Sequence, residues 1–398
     1  MADTLQFSRN TRVFLKQGST YWEIPVLDGF SFSQATNATE VTLNEMSSSA
    51  GLSRRARQMF TDSYAPAEWS FSTYMRPVVA TPAADNGWED TGSDAIHHSV
   101  EEPLWANFVA ANSFTASDGE EESAWTSGVT GTTSGTTYDF SGSNTTTLGT
   151  YDLFFVLGGC GVDESSTAFA AASGQAIYKI ADAVGNTASI DFDIDGIAMI
   201  NWSGFGKIIS DEASLDLRSD TLATNTETLI KEGGEASDTG NFIRNRLTSL
   251  AVAGAGTGNF ASSYSLVLTG GNITFENNIT YLTPETLCTV NQPIGHVTGT
   301  RSVSGNFTCY LNSPASGSSS VDLFEDIIES TTVVTNSFGL TFTIGGTSAP
   351  KVVIALPACH LEVPTHSIDD VISVETNFHA LPSSLDGTDE ATIQYVGG

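Results

Sequence analysis

The chain has 398 residues, of which 46 are acidic and 15 basic, for a formal charge of −31; the excess is spread along the chain rather than gathered in a tail. Such a surface repels phosphate backbones and disfavours tight or sequence-specific nucleic-acid binding, though not DNA that passes without sticking. The first ten residues are polar, with no secretory leader, and the longest apolar run, Leu153 to Leu157, is far short of the roughly 20 residues that span a bilayer. With 40% apolar residues, abundant Ser, Thr, Gly, Val and Ile and few helix signals, the composition predicts a mainly β chain of two or three domains.

Taken in order, the first predicted strands are Arg9 to Leu15 and Tyr21 to Val26, followed by Gly29-Phe30-Ser31-Phe32 and Asn37-Ala38-Thr39. Next come a basic segment, Leu52 to Phe60, and an alternating strand, Trp69 to Tyr74. Leu104, Trp105, Phe108 and Val109 then predict a short amphipathic helix over 100–111. Two insertions are read around it. One, at about 81–94, is rich in Pro, Gly and Asp. The other, at about 113–150, is rich in Ser, Thr and Gly and is expected to be an exposed excursion with a hairpin at Thr137 to Phe140. Strands return at Ile190 to Ile194 and Ile197 to Ile200. Residues 211–240 read as an acidic linker with a weak helix at Asp220 to Lys231.

The order then repeats. Arg244 to Leu250, Tyr264 to Leu268, Gly271 to Phe275 with Asn278-Ile279-Thr280, Phe307 to Leu311, a helix over 321–329, Val352 to Leu356 and Cys359 to Val363 restate the earlier elements in sequence. Strands at Val371 to Ala380 and Ala391 to Val396 close the chain. The repetition predicts two β-barrel or β-sandwich domains in tandem, over 1–210 and 241–398, each with one short flanking helix. A duplicated unit favours assembly by repetition, with a pseudo-symmetric ring as the economical outcome.

Candidate chemistry is sparse. None of the six histidines has zinc-ligand spacing; His97-His98 and the pair His360 and His366 read as structural. There is no GxSxG elbow, Walker A loop or GxGxxG, so the residues give no catalytic, metal or cofactor site and no sign of an enzyme. Cys160, Cys288, Cys309 and Cys359 lack CxxC spacing and read as buried thiols; Cys309 and Cys359 fall in strands of the second repeat. Six Asn-x-Ser/Thr tripeptides, at Asn37, Asn144, Asn201, Asn272, Asn278 and Asn306, follow from composition. Asp191, Asp193 and Asp195 alternate with Phe192 and Ile194, which predicts three carboxylates on one face of a strand; Val353, Ala355 and Pro357 hold the matching places in the second repeat. Arg54, Arg55 and Arg57 concentrate positive charge in an acidic chain. Such a loop suits contact with an acidic patch on the next subunit.

The segments Gly29 to Phe32 with Asn37 to Glu45, Ala65 to Tyr74, and Leu361 to Ile368 leading to Val374 to Ala380 resemble the major tail tube proteins of tailed bacteriophages. The resemblance covers both repeats but not the insertions. It implies a barrel-like pair of packed sheets with one flanking helix, and a long loop contacting the next ring. Rings stack into a hollow tube that DNA passes through without specific binding. Family members with one domain form hexamers, so two domains favour a trimeric, pseudo-hexameric ring. The implied place is the virion tail, assembled in the host cytoplasm. The implied partners are further copies of the chain and the sheath, tape-measure, terminator and baseplate proteins, with no membrane and no cofactor. Arg54, Arg55 and Arg57 become inter-ring contacts, and Asp191, Asp193 and Asp195 candidates for the lumen wall. The alternative is an extracellular adhesin or surface-layer protein of tandem β-sandwiches; a β-rich hydrolase lacks a paired acid and base.

Overall fold

The structure, a computed structural model, describes residues 6–18, 20–41, 58–79, 96–109, 125, 127–140, 148–158, 168–217, 228–230, 241–254, 261–288, 290–313, 318–329, 338–384 and 387–397. The chain is mainly β. In its first half lie β1 (Thr11–Gln17), β2 (Thr20–Ile24), β3 (Ser31–Glu40), β4 (Met59–Tyr74), helix α1 (Glu102–Val109), β5 (Gly135–Asp139), β6 (Tyr151–Leu157), β7 (Ala176–Phe192) and β8 (Met199–Gly206). In its second half lie β9 (Ser249–Ala253), β10 (Ser263–Ser265), β11 (Val267–Glu276), β12 (Ser302–Tyr310), helix α2 (Ser320–Glu329), β13 (Phe338–Ile344), β14 (Lys351–Leu361), β15 (Thr365–Ile368), β16 (Ile372–Leu381) and β17 (Thr392–Val396).

The pairings in the two halves follow one order. β2 pairs with β1, β1 with β6, β6 with β7, β7 with β8, β8 with β4 and β4 with β3. Likewise β10 pairs with β9, β9 with β13, β13 with β14, β14 with β16, β16 with β12 and β12 with β11. A register slip falls at the same place in each. Leu153 faces Ile180 and Tyr151 faces Ala183; Leu340 faces Leu356 and Phe338 faces Cys359. Each is one extra residue on the longer strand, a bulge that bends it.

Burial follows the residue pattern. β4 buries Ala67, Trp69, Phe71 and Thr73 and turns Glu68, Ser70, Ser72 and Tyr74 away, the period of a strand with one covered face. β6 reads Tyr-Asp-Leu-Phe-Phe-Val-Leu and is buried on both faces. Leu153 and Phe155 join the main core, whereas Phe154 and Val156 join a smaller cluster with Phe14, Tyr21 and Phe169. Every residue of α1 is buried. Its Trp105 stands edge-on to Trp202 at 4.7 Å and to Phe275 at 5.5 Å, so the core spans both halves. α2 is amphipathic, burying Leu323 and Ile327. It starts at a capping arrangement in which Asp322 accepts from the Ser319 backbone N–H at 2.7 Å and hydroxyl at 2.9 Å.

Three expectations are corrected. The 113–150 insertion is not simply an exposed excursion: Val129–Thr132 and β5 form a hairpin, and Tyr138 and Phe140 are fully buried. β5 also pairs with β17, and β17 pairs with β14, so the insertion is sewn into the sheet. Its Ser/Thr content hid two aromatics at alternate positions, enough to anchor a hairpin against α1. In the linker, Thr228–Ile230 is a strand parallel to β2 where a helix was expected; β-branched Thr and Ile suit that pairing. Cys288, read as a buried thiol, is exposed, because it sits in a surface turn outside the core strands. The 81–94 insertion lies outside the described residues.

Candidate functional site

One sheet runs through both halves: β3, β4, β8, β7, β11, β12, β16 and β15 are neighbours in that order, each pair antiparallel. Its covered face carries Trp69, Phe71, Trp202, Ile190, Phe275 and Phe378. Its other face carries small hydroxyls, amides and carboxylates, because each strand alternates. Ser31 and Ser70 share a hydrogen bond of 2.8 Å, and Ser72 donates to Asn201 at 2.7 Å. Asn201 donates to Asp191 at 3.4 Å, Asn306 to Glu375 at 3.2 Å and Asn377 to Glu362 at 2.8 Å. Among the described residues, no Lys or Arg lies in the strand segments paired in this sheet; Lys179, in the earlier part of β7 that pairs with β6, is 2.7 Å from Asp152. Lys207 sits just past the end of β8, with Nζ 3.8 Å from Asp182.

Three of the Asn-x-Ser/Thr tripeptides, at Asn201, Asn272 and Asn306, lie in the strands of this sheet. Asn272, Asn306 and Asn377 stand directly across from one another on β11, β12 and β16. In a strand, the first and third residues of Asn-Ile-Thr or Asn-Phe-Thr point the same way, so a tripeptide explained by composition marks the polar side.

The sequence candidates separate. Asp191 lies on the polar face near the end of β7, facing Asn272. Asp193 and Asp195 do not share its strand: β7 ends at Phe192 and both follow in a bend. Asp195 comes within 3.9 Å of Arg246, both exposed. The predicted alternation ran past the strand's end because Gly196, at φ +105°, turns the chain there. The counterpart of Asp191 in the second half also changes. β15 runs along β16 as the end of β7 runs along β8, which puts Ser367, not Val353, in its place. Arg54, Arg55 and Arg57 lie outside the described residues. The segment holding them joins Val41 to Gln58, whose backbones bond at 2.9 Å.

A second polar cluster is wholly interior and escaped sequence reading. Glu101 and Glu102 are both fully buried at the start of α1. Glu102 accepts from Trp125 Nε1 at 2.8 Å and meets His98 Nδ1 at 2.9 Å. Ser99 and Tyr138 share a 2.6 Å hydrogen bond, and Trp105 Nε1 donates to the Tyr395 hydroxyl at 3.0 Å. Burial pushes the Glu101 carboxyl up to about 8, against the lowering pull of the Tyr395 hydroxyl and Arg76. Cys309 and Cys359 are free and buried, which raises their thiols to about 11 and about 12 and leaves them unreactive at neutral pH.

The fold defines a mainly β chain in which one sheet, shared by both halves, has a covered apolar face and an opposite polar one. No family model matches the sequence. The chain is 29% identical over 403 residues to the tail tube protein pb6 of Escherichia phage T5, an alignment covering 98% of this chain and 76% of that protein. This likeness supports a phage tail tube protein. The likeness extends through the insertions as well as the repeats, and it does not favour the adhesin reading.

Proposed function

We propose that this protein is the repeating subunit of a phage tail tube. Three copies close a ring of six tube-type units, and the rings stack around a channel for DNA. The two units are 1–210 and 241–398. The observation that carries this reading is the repeated order of strand pairing, with its register slip in the same place in both halves. Two units that pair their strands alike can occupy alternating positions in one ring, and three chains supply six of them.

The polar sheet face suits the channel wall. A polyanion moving past Ser, Thr and Asn side chains with interspersed Glu68, Asp191, Glu276 and Glu375 meets no cation to hold a phosphate. Asp191 belongs to that wall in this reading. Asp193 and Asp195 lie past the end of β7, the opposite end of the sheet from Val41 and Gln58. The segment carrying Arg54, Arg55 and Arg57 is therefore anchored at one end of the sheet and the carboxylates at the other. Head-to-tail stacking brings opposite charges together between rings. As a tail tube subunit the protein resides in the virion tail and has a structural, non-catalytic role.

Symmetry-resolved electron microscopy or mass measurement of assembled rings tests the stoichiometry. Three chains per ring is the expected result; six chains, each placing both halves in the ring, would overturn it.

A further inference from the structure

The eight-stranded sheet passes from one half of the chain to the other at an antiparallel junction, Thr187–Phe192 of β7 against Gly271–Glu276 of β11. Because the halves pair their strands in the same order, each side of that junction has a counterpart elsewhere. Register locates both. Ile190 faces Ile200, which faces Thr73; His366 faces Val374, which faces Cys309. β15 thus stands where the end of β7 stands. Ser31 faces Ser70 as Asn272 faces Asn306, so the start of β3 stands where β11 meets β7. Among the described residues, β3 pairs only with β4 and β15 only with β16.

We infer that these two edges join neighbouring copies. Residues 363–368 of one chain lie antiparallel to residues 30–35 of the next, with Thr365 opposite Ser33 and Ser367 opposite Ser31. The inference rests on the tube reading above and adds which edges close the ring and in what register.

The chemistry of the two edges matches the internal junction. Ser31, Ser33, Thr365 and Ser367 extend the polar face as Asn272, Thr274, Ser189 and Asp191 do within the chain. Ile368 is 79% exposed where its counterpart Phe192 is 5% exposed, an apolar side chain left uncovered where the internal junction covers one. Residues 30–35 and 363–368 contain no Lys, Arg, Asp or Glu, so no charge repels or is desolvated as they meet. Pro364 takes the place of Ala188 and brings no N–H, which makes the seam between chains one hydrogen bond poorer than the seam within a chain.

The internal ladder also fixes a test. The Asn277 N–H donates to the Asn186 carbonyl at 2.9 Å, which marks that pair as hydrogen-bonded and Ser189 with Thr274 as the non-bonded kind. Their counterparts, Thr365 and Ser33, then have Cα atoms about 4.5 Å apart, within disulfide reach. The variant Ser33→Cys with Thr365→Cys, made in the full chain at two exposed positions, is assembled and oxidised with dioxygen and a copper catalyst. Non-reducing denaturing electrophoresis should show covalent dimers progressing to a terminal covalent trimer. Each single variant reports background from the native thiols and should give no trimer. The displaced pair Ser31→Cys with Thr365→Cys, a diagonal roughly 7–8 Å apart, should cross-link at least about fivefold less. Rings that form without the cross-link, or that cross-link better through the displaced pair, overturn the register while the tube reading stands. Failure of the unmodified chain to form rings removes the tube reading and this inference with it.

Discussion

Trp69 lies directly across the strand pair from Gly204, and in the second half the same cross-strand position is filled in reverse, with Gly305 facing Phe378. A β-carbon added at Gly204 would come 2.5 Å from Trp69 Cζ2 and 2.1 Å from the Val184 carbonyl oxygen; one added at Gly305 would come 2.9 Å from Phe378 Cζ and 2.0 Å from the Asn272 carbonyl oxygen. Each glycine makes the room its aromatic partner uses.

Gly204→Ala should therefore destabilise the subunit despite the better strand propensity of alanine. The cost expected for overpacking is about 1–3 kcal/mol, since backbone as well as ring must shift. Gly305→Ala should behave alike. Urea denaturation of the subunit measures both; a neutral or stabilising change at either would show that the sheet yields there without strain.

The contact of Trp105 with Tyr395 supports a second prediction. Tyr395→Phe keeps the ring but leaves the indole N–H of Trp105 without its buried acceptor. A loss of about 1–3 kcal/mol is expected. Tyr395→Ala also opens a cavity and should cost about 3–5 kcal/mol. Thermal unfolding of the two variants beside the parent separates the polar contribution from the packing one.

Glu101 makes stability depend on pH. Its carboxyl is raised by burial from 4.5 to about 8, with Arg76 and Tyr395 opposing, so the folded state binds a proton that the unfolded state has released. The contribution is complete below the ordinary carboxylate value and is lost as pH rises through about 8. Glu102, His98 and Tyr138 line the same interior and stay in place in a Glu101→Gln variant. That variant should flatten the decline in melting temperature between about pH 4.5 and about pH 8. An unchanged slope would place the titration elsewhere.

For stacking, replacing Arg54, Arg55 and Arg57 together with Ala should shorten tubes while single rings still form, and the difference from the parent should narrow with added salt, which screens the ion pairs that only the parent retains. Asp193→Ala with Asp195→Ala should reproduce it from the other side. Sedimentation of assembled tubes across a salt series reads both variants. Full-length tubes from either would remove charge pairing as the stacking contact.

Much of this was legible because alternation is a local signal. Trp69 to Tyr74 and Phe307 to Leu311 announce one covered face residue by residue, and both helices appear within a few residues of their expected spans. The order of elements also predicted a repetition, and the strand pairings of the two halves follow one order. What stayed hidden depends on contacts distant in sequence. Tyr138 reads as a lone aromatic in a Ser/Thr stretch until β17 arrives to pair with it, and Glu101-Glu102 reads as surface charge until α1 is enclosed. Asp193 and Asp195 continued a real pattern beyond the point where the strand stopped. Asn272 and Asn306 were visible, but their shared face needed the cross-strand register to appear.

The double pairing of β17 bears on the order in which the molecule can be made. Thr392–Val396 supplies Tyr395 to a core whose other members, Trp105 and Tyr138, leave the ribosome hundreds of residues earlier. That core stays unfinished until β17 has been made, and contacts of such long sequence separation form slowly. The first half of a nascent chain therefore cannot complete its own core before β17 exists, which ties readiness for assembly to the synthesis of both halves.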